Sequence, residues 1–366
     1  MNKIKYLEGL RGVCCFIVIL DHCINEFKPD IRFTGLSEIG GLIRKLVALT
    51  PINIIYSGIA PVCIFFILSG FVLSIKFNRS GNQKDITAGV IKRYPRLIFP
   101  IVCSMIFMYL SFKLLRVYTG HDINLHFIHA LSEALYYAPF EHVQLKNYAL
   151  WTISFEIYGS LIVFCMLALF GQYKYKMFFY IITFVFLLFN SSFYCLFVIG
   201  MIFSNLYVRE LFKLNSVTRF IAFIFGLILV TSPYQREGVD VYGGMYSYLK
   251  LFNASKYTDL YQTMMLIGSI LIFASILNSE LSIKVLNKKI AQFLGRISFP
   301  LYIIHTTILS IISYFIHVYF HEITIFIFLL SVFVAIPICL LFSSLFERYV
   351  DIPSINLANS IAKKFN

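Results

Sequence analysis

An arginine and a histidine, Arg11 and His22, stand inside the first apolar stretch of the chain, Gly9 to Phe27. Ionisable side chains in a membrane-spanning helix cost about 2.5 to 3.5 kcal/mol each on insertion scales, so two in one span point to a buried working site. Eleven residues at about 100° each bring His22 only about 20° round from Arg11 and about 16 Å further along the axis. The two side chains therefore share a face, one near a membrane surface and the other toward the far half. An imidazole held there can act as a general base, and a guanidinium can hold a phosphate or a developing oxyanion.

Other polar groups stand where hydrophobicity alone would not put them. Glu156 closely follows Trp151 in Leu150-Trp-Thr-Ile-Ser-Phe-Glu. A carboxylate behind an interfacial tryptophan must be paired, hydrated or protonated. Hydrogen-bonded to His22 it would fix the imidazole tautomer, and the alternative is a charge pair that only joins two helices. Ser69-Gly70 interrupts a second apolar run, which suits either close helix packing or the approach of a ligand. Lys92, Arg93 and Arg96 gather at a membrane mouth, where guanidinium groups bind phosphate bidentately and where plain interfacial anchoring would place them too. Ser298, Tyr302 and His305 recur at i, i+4 and i+7, a single helix face toward protein or a water-filled cavity, with His305 also readable as a satisfied core histidine. Glu347-Arg348 reads as interfacial anchoring.

The elements that must position these groups follow from composition. Of 366 residues 59% are apolar and 13% charged, with mean hydropathy +0.80, against soluble averages of about 45 to 50% and 25%. The expected fold is all-α: a polytopic membrane protein of about ten transmembrane helices in one bundle. The apolar runs lie near residues 9–27, 55–77, 97–115, 148–170, 176–190, 192–208, 219–233, 260–278, 297–318 and 323–346. The fifth is short and joins the sixth through Asn190 and Ser191 as a tight hairpin. If both termini are cytoplasmic, 21 of the 31 Lys and Arg fall on the inside, as the positive-inside rule requires. Arg11 then lies at the cytoplasmic end of its helix, with His22 in the outer half and Glu156 near the outer face. Residues 1–350 form one membrane domain and 351–366 a short cytoplasmic tail. The start, Met-Asn-Lys-Ile-Lys before an apolar run without a small-residue cleavage site, reads as a retained signal anchor.

The charge of +13 sits in short loops and forms no continuous basic face, which argues against nucleic acid as a partner. Eight cysteines lie in apolar runs with no Cys-x-x-Cys spacing, so neither a disulfide framework nor a metal is expected. The outer loops, 28–54, 116–147 and 234–259, are rich in Tyr, His and Asn, which suits a sugar or headgroup surface as it suits any extracellular loop.

In order and spacing these segments resemble the acyltransferase-3 family of integral membrane O-acyltransferases. The resemblance runs from Tyr6-Leu-Glu-Gly-Leu-Arg11-Gly with His22, through Phe65-Phe-Ile-Leu-Ser69-Gly-Phe and Arg93-Tyr-Pro-Arg96-Leu-Ile-Phe-Pro100. It continues in Trp151-Thr-Ile-Ser-Phe-Glu156 and Gly295-Arg-Ile-Ser298-Phe-Pro-Leu-Tyr302-Ile-Ile-His305, and ends at Phe346-Glu-Arg348. It implies a plasma membrane enzyme, of the bacterial inner membrane type. Such an enzyme moves an acyl group, commonly acetyl from acetyl-CoA on the cytoplasmic side, to a hydroxyl of a cell-surface glycan or lipid-linked sugar. Arg11 and His22 are the essential pair by that resemblance. Phe299 and Pro300 depart from the family pattern, and no esterase-like domain is expected beyond the membrane part.

On this reading the phosphates of acyl-CoA rest on Lys92, Arg93 and Arg96, and its thioester passes Arg11. His22, oriented by Glu156, takes the acceptor proton or takes the acyl group itself. Ser69, Trp151, Ser298, Tyr302 and His305 support the site, in one cavity joining Arg11 to His22. The rival is a proton-coupled transporter or flippase of a sugar or small acid, with His22, Glu156 and His305 as a relay, although no internal repeat is evident. The acceptor, the acyl group and any homo-oligomer stay open.

Overall fold

The computed structural model describes residues 4–33, 39–252 and 256–365. Lys3, counted among the inside cations, and parts of the 28–54 and 234–259 loops fall outside these residues. Among the described residues there is no strand. The helices are α1 (Lys5–Phe27), α2 (Ile39–Ala48), α3 (Ile59–Ser80), α4 (Gln83–Thr119), the short α5 (Phe127–Ser132) and α6 (Ala138–Phe140), α7 (Trp151–Phe170) and α8 (Lys176–Phe189). They continue with α9 (Tyr194–Val208), α10 (Ser216–Val230), α11 (Tyr257–Ile276), α12 (Glu280–Leu286), α13 (Lys289–Tyr319), α14 (Ile325–Phe346) and α15 (Ile352–Lys363).

Each of the ten apolar runs falls on a helix. Among the described residues six helical stretches are long and apolar enough to cross a membrane: α3, α4, α7 with the turn before it, α11, α13, and α14 continued through α15. Helices α8, α9 and α10 are apolar but only 14 to 15 residues long. Ser191, between α8 and α9, takes a positive φ of 49°, which closes the expected hairpin.

Lipid tails offer no hydrophobic drive for helix association, so close backbone packing must supply it. Glycines do so along two seams. A Cβ on Gly9 would lie 2.0 Å from Leu286 O of α12, while one on Gly12 would lie 2.3 Å from Gly295 N of α13 and one on Gly295 2.2 Å from Glu8 O of α1. Helices α1 and α13 are therefore pressed backbone to backbone, which brings the Arg11 and His22 face against the Ser298 to His305 face. On the other seam, Gly70 of α3 would meet Phe197 O at 2.0 Å and Gly200 of α9 would meet Ile67 O at 2.1 Å. Packing thus accounts for Gly70 and leaves Ser69 free for other contacts.

The segment expected as a short tail is helical through Lys363. It forms α15, packed on α4. Pro100 lacks the N–H that would cap Arg96 O in α4. The Ser354 hydroxyl donates to that carbonyl at 3.3 Å, and Asp351 pairs with the Arg96 guanidinium at 3.3 Å.

Candidate active site

His22 lines a cavity of about 290 Å³ together with Asp21, Asn25, Arg32, Trp151, Arg236 and Tyr302. Its Nδ1 lies 2.6 Å from His305 Nε2, and His305 Nδ1 lies 2.9 Å from Leu301 O. A carbonyl only accepts, so with both rings neutral the network assigns the proton of His305 to Nδ1. His305 Nε2 is then an acceptor, and His22 must donate through its own Nδ1. That leaves a lone pair on His22 Nε2, the state a general base or nucleophile needs. His305 is wholly buried, and the two rings stack at 15° with centroids 4.9 Å apart. Tyr148 closes the other side of His22 edge-on, at 82° and 4.9 Å.

Asp21 Oδ2 is 3.9 Å from His22 Nε2, too far for a hydrogen bond. Its other oxygen takes Arg32 Nη2 at 2.6 Å. The rest of the cavity is lined by aromatic rings together with aliphatic and small polar side chains; Trp151 packs edge-on against Phe155 and Phe193, and Tyr302 is hydrogen-bonded to Thr152 at 3.1 Å.

Arg11 lines a second cavity of about 760 Å³ with Lys5, Arg96, Arg296, Ser298 and Phe299. Carboxylates brace its cations. Glu8 lies 3.9 Å from Arg11, Asp351 pairs with Arg96, and Glu347 lies 3.5 Å from Arg296. Glu347, expected as an interfacial anchor, is therefore part of this wall.

One cavity joining Arg11 to His22 was expected, and instead the two residues line separate cavities with no lining residue in common. The reason is the α1–α13 seam. Between Arg11 and His22 the face carries Cys14 and Cys15, 3% and 0% exposed, and Cys15 Sγ donates to Ser298 O at 3.2 Å. The partition is thin. Ser298 borders one cavity and Tyr302 the other, one helical turn or about 6 Å of rise apart.

The Glu156 to His22 pair is not formed either. Glu156 is bonded instead by Arg93 and by the Ser69 hydroxyl, the latter at 2.7 Å, and Arg93 also donates to Ser69 at 3.1 Å. This joins α3, α4 and α7 and removes Arg93 from the expected phosphate clamp. Lys92 is outside both cavity linings, within electrostatic reach of Asp85. Of the three expected clamp residues only Arg96 faces a cavity, beside Arg11. The Arg93→Ala and Glu156→Ala variants are expected to couple by about 1 to 3 kcal/mol in a double-mutant cycle of thermal unfolding in detergent. Additive losses would show the pair to be incidental.

Sequence reasoning missed Asp21, Asn25, Arg32 and Arg236 at the first cavity and Arg296 at the second. A second ionisable group beside His22 was the available signal for Asp21.

A family model described as an acyltransferase domain matches residues 4–344. Among curated proteins, O-acetyltransferase PaAT-1 of Phomopsis amygdali is 28% identical over 111 residues, covering 27% of this chain and 21% of that protein. The chain thus spans about a fifth of the relative's length. No solved structure matches.

Proposed function

Because this chain belongs to the acyltransferase-3 family, whose domain spans nearly all of it, we propose that it is an O-acetyltransferase working across a membrane. In this reading ten helices cross the bilayer with both termini cytoplasmic, and the membrane is the bacterial inner one. Acetyl-CoA binds at the Arg11 cavity from the cytoplasm. A hydroxyl of a cell-surface or lipid-linked carbohydrate enters the His22 cavity from outside.

The observation that carries the reading is the chain from Leu301 O through His305 to His22, which leaves a basic nitrogen facing an aromatic-walled cavity. His22 Nε2 takes the acceptor proton as the hydroxyl oxygen bonds to the thioester carbon. The carbon–sulfur bond breaks and the CoA thiolate leaves, collecting that proton from the imidazolium, so the products are an ester and free CoA. Asp21 stabilises the transient charge, and His305 is a positioning residue. The same lone pair can first accept the acetyl group and pass it on. In either case the pantetheine arm must part the turn between Ser298 and Tyr302. Labelled acetyl-CoA supplied to membranes containing the protein tests this directly. Label in glycan or lipid is expected, and label retained only in CoA overturns it.

Arg11, Arg96, Arg296 and Lys5 are the proposed phosphate ligands, replacing the Lys92, Arg93 and Arg96 set. Hydrogen bonds to charged groups are worth about 1.5 to 3 kcal/mol, so Arg11→Ala and Arg96→Ala should each raise KM for acetyl-CoA about 10- to 100-fold. Initial rates across acetyl-CoA concentrations check this, and an unchanged KM in both variants removes the CoA site from this cavity.

A further inference from the structure

The His22 cavity is ringed by more positive charge than its carboxylates offset. Arg32 is consumed by Asp21 at 2.6 Å, Asn25 Oδ1 at 2.6 Å and Tyr56 O at 3.4 Å. Arg236 donates to Asn25 Oδ1 at 3.2 Å and lies over the Tyr234 ring, 5.4 Å from its centroid. Among the described residues no carboxylate forms a salt bridge with it. Burial and the neighbouring Arg32 charge pull its pKa below the ordinary arginine value, and the Asp21 carboxylate, itself paired with Arg32, only partly opposes them.

In the proposed orientation Arg32 and Arg236 are on the outer side, where the positive-inside rule does not favour cations. Asn25 stands three residues beyond His22 on α1, about 4.5 Å of rise. The guanidinium it holds lines the same cavity of about 290 Å³ as the proposed base. Trp151 lines the cavity as a ring on which a sugar can stack, while the Tyr56 ring is already covered by the Arg32 guanidinium, 5.0 Å from its centroid.

Resting on the acyl-transfer reading, we propose that the acceptor is an anionic carbohydrate: its carboxylate or phosphate docks on Arg236 while a hydroxyl of the same or the adjoining sugar meets His22. Arg236 selects the acceptor by charge and sets which hydroxyl reaches the base. Arg32 holds Asn25 and Asp21 in place for it.

Trp151 is the sole tryptophan of the chain and lines this cavity, which gives a direct optical probe. The full chain in neutral-lipid nanodiscs is titrated with methyl glucuronide, a hexose phosphate and methyl glucoside, at low and high salt. The acidic sugars are expected to change Trp151 fluorescence at concentrations about ten-fold or more below the neutral one, with the advantage shrinking in high salt. Arg236→Gln should remove that advantage and Arg236→Lys should keep part of it. The uronide and phosphate arms identify which anion is preferred. Equal response to charged and neutral sugars, no response to either acid, or an undiminished preference in Arg236→Gln overturns the proposal. Transfer from labelled acetyl-CoA is read separately on the same preparation. Transfer without charge preference sinks this inference alone, whereas charge-selective binding without transfer sinks the enzymatic reading.

Discussion

Replacing His22 with alanine is expected to lower acetyl transfer by about 10²- to 10⁴-fold while the protein still inserts and purifies as a single species. The ring projects into the cavity with 16% of its side chain exposed, so little packing is lost. His305→Ala should act differently. It frees His22 to take either tautomer and leaves a buried N–H without its acceptor, so the expected loss is smaller, about 10-fold, with a shifted pH–rate profile. Rates across pH for wild type and both variants check the pair. Full activity in His22→Ala rules out the proposed base, and an unaltered profile in His305→Ala reduces His305 to packing.

The second large effect is on assembly. Leucine at Gly295 would drive a side chain into the Glu8 carbonyl, where even a Cβ comes within 2.2 Å. Overpacking costs about 1 to 3 kcal/mol where neighbours can shift, and here the neighbour is backbone. The expected result is a severe drop in monodisperse protein by size-exclusion chromatography, and loss of transfer in whatever survives, because parting α1 from α13 also parts His22 from His305. Gly12→Leu should behave alike, its Cβ being placed 2.3 Å from Gly295 N. Wild-type yield and activity in both variants would show that the two helices are not clamped.

The architecture was largely readable because the bilayer imposes a long apolar period that few other environments require. All ten runs became helices, and the i, i+4, i+7 face of Ser298, Tyr302 and His305 did meet the face of α1. What stayed hidden depended on pairing between distant segments. Nothing local in Arg93 or Glu156 says that they satisfy each other, and the expectation that Glu156 would serve His22 was a guess about which helices adjoin. Helix α15 escaped notice because it is short, begins beside a proline, and owes its position to the Arg96 carbonyl that Pro100 leaves open. Arg32 and Arg236 were counted as loop charges, since hydropathy carries no information on which loop folds back over a cavity.

The thin septum between the two cavities bears on cell energetics as well as on chemistry. A continuous wet passage lined by histidine and arginine would conduct protons and drain the ion gradient of any energised membrane. In the proposed orientation, Cys15 against Ser298, with Tyr302 one turn above, would insulate the two aqueous sides from each other at rest. Turnover then requires brief, substrate-filled breaches, and a chain loosened at this point should dissipate a pH gradient across sealed vesicles even when no acetyl-CoA is supplied.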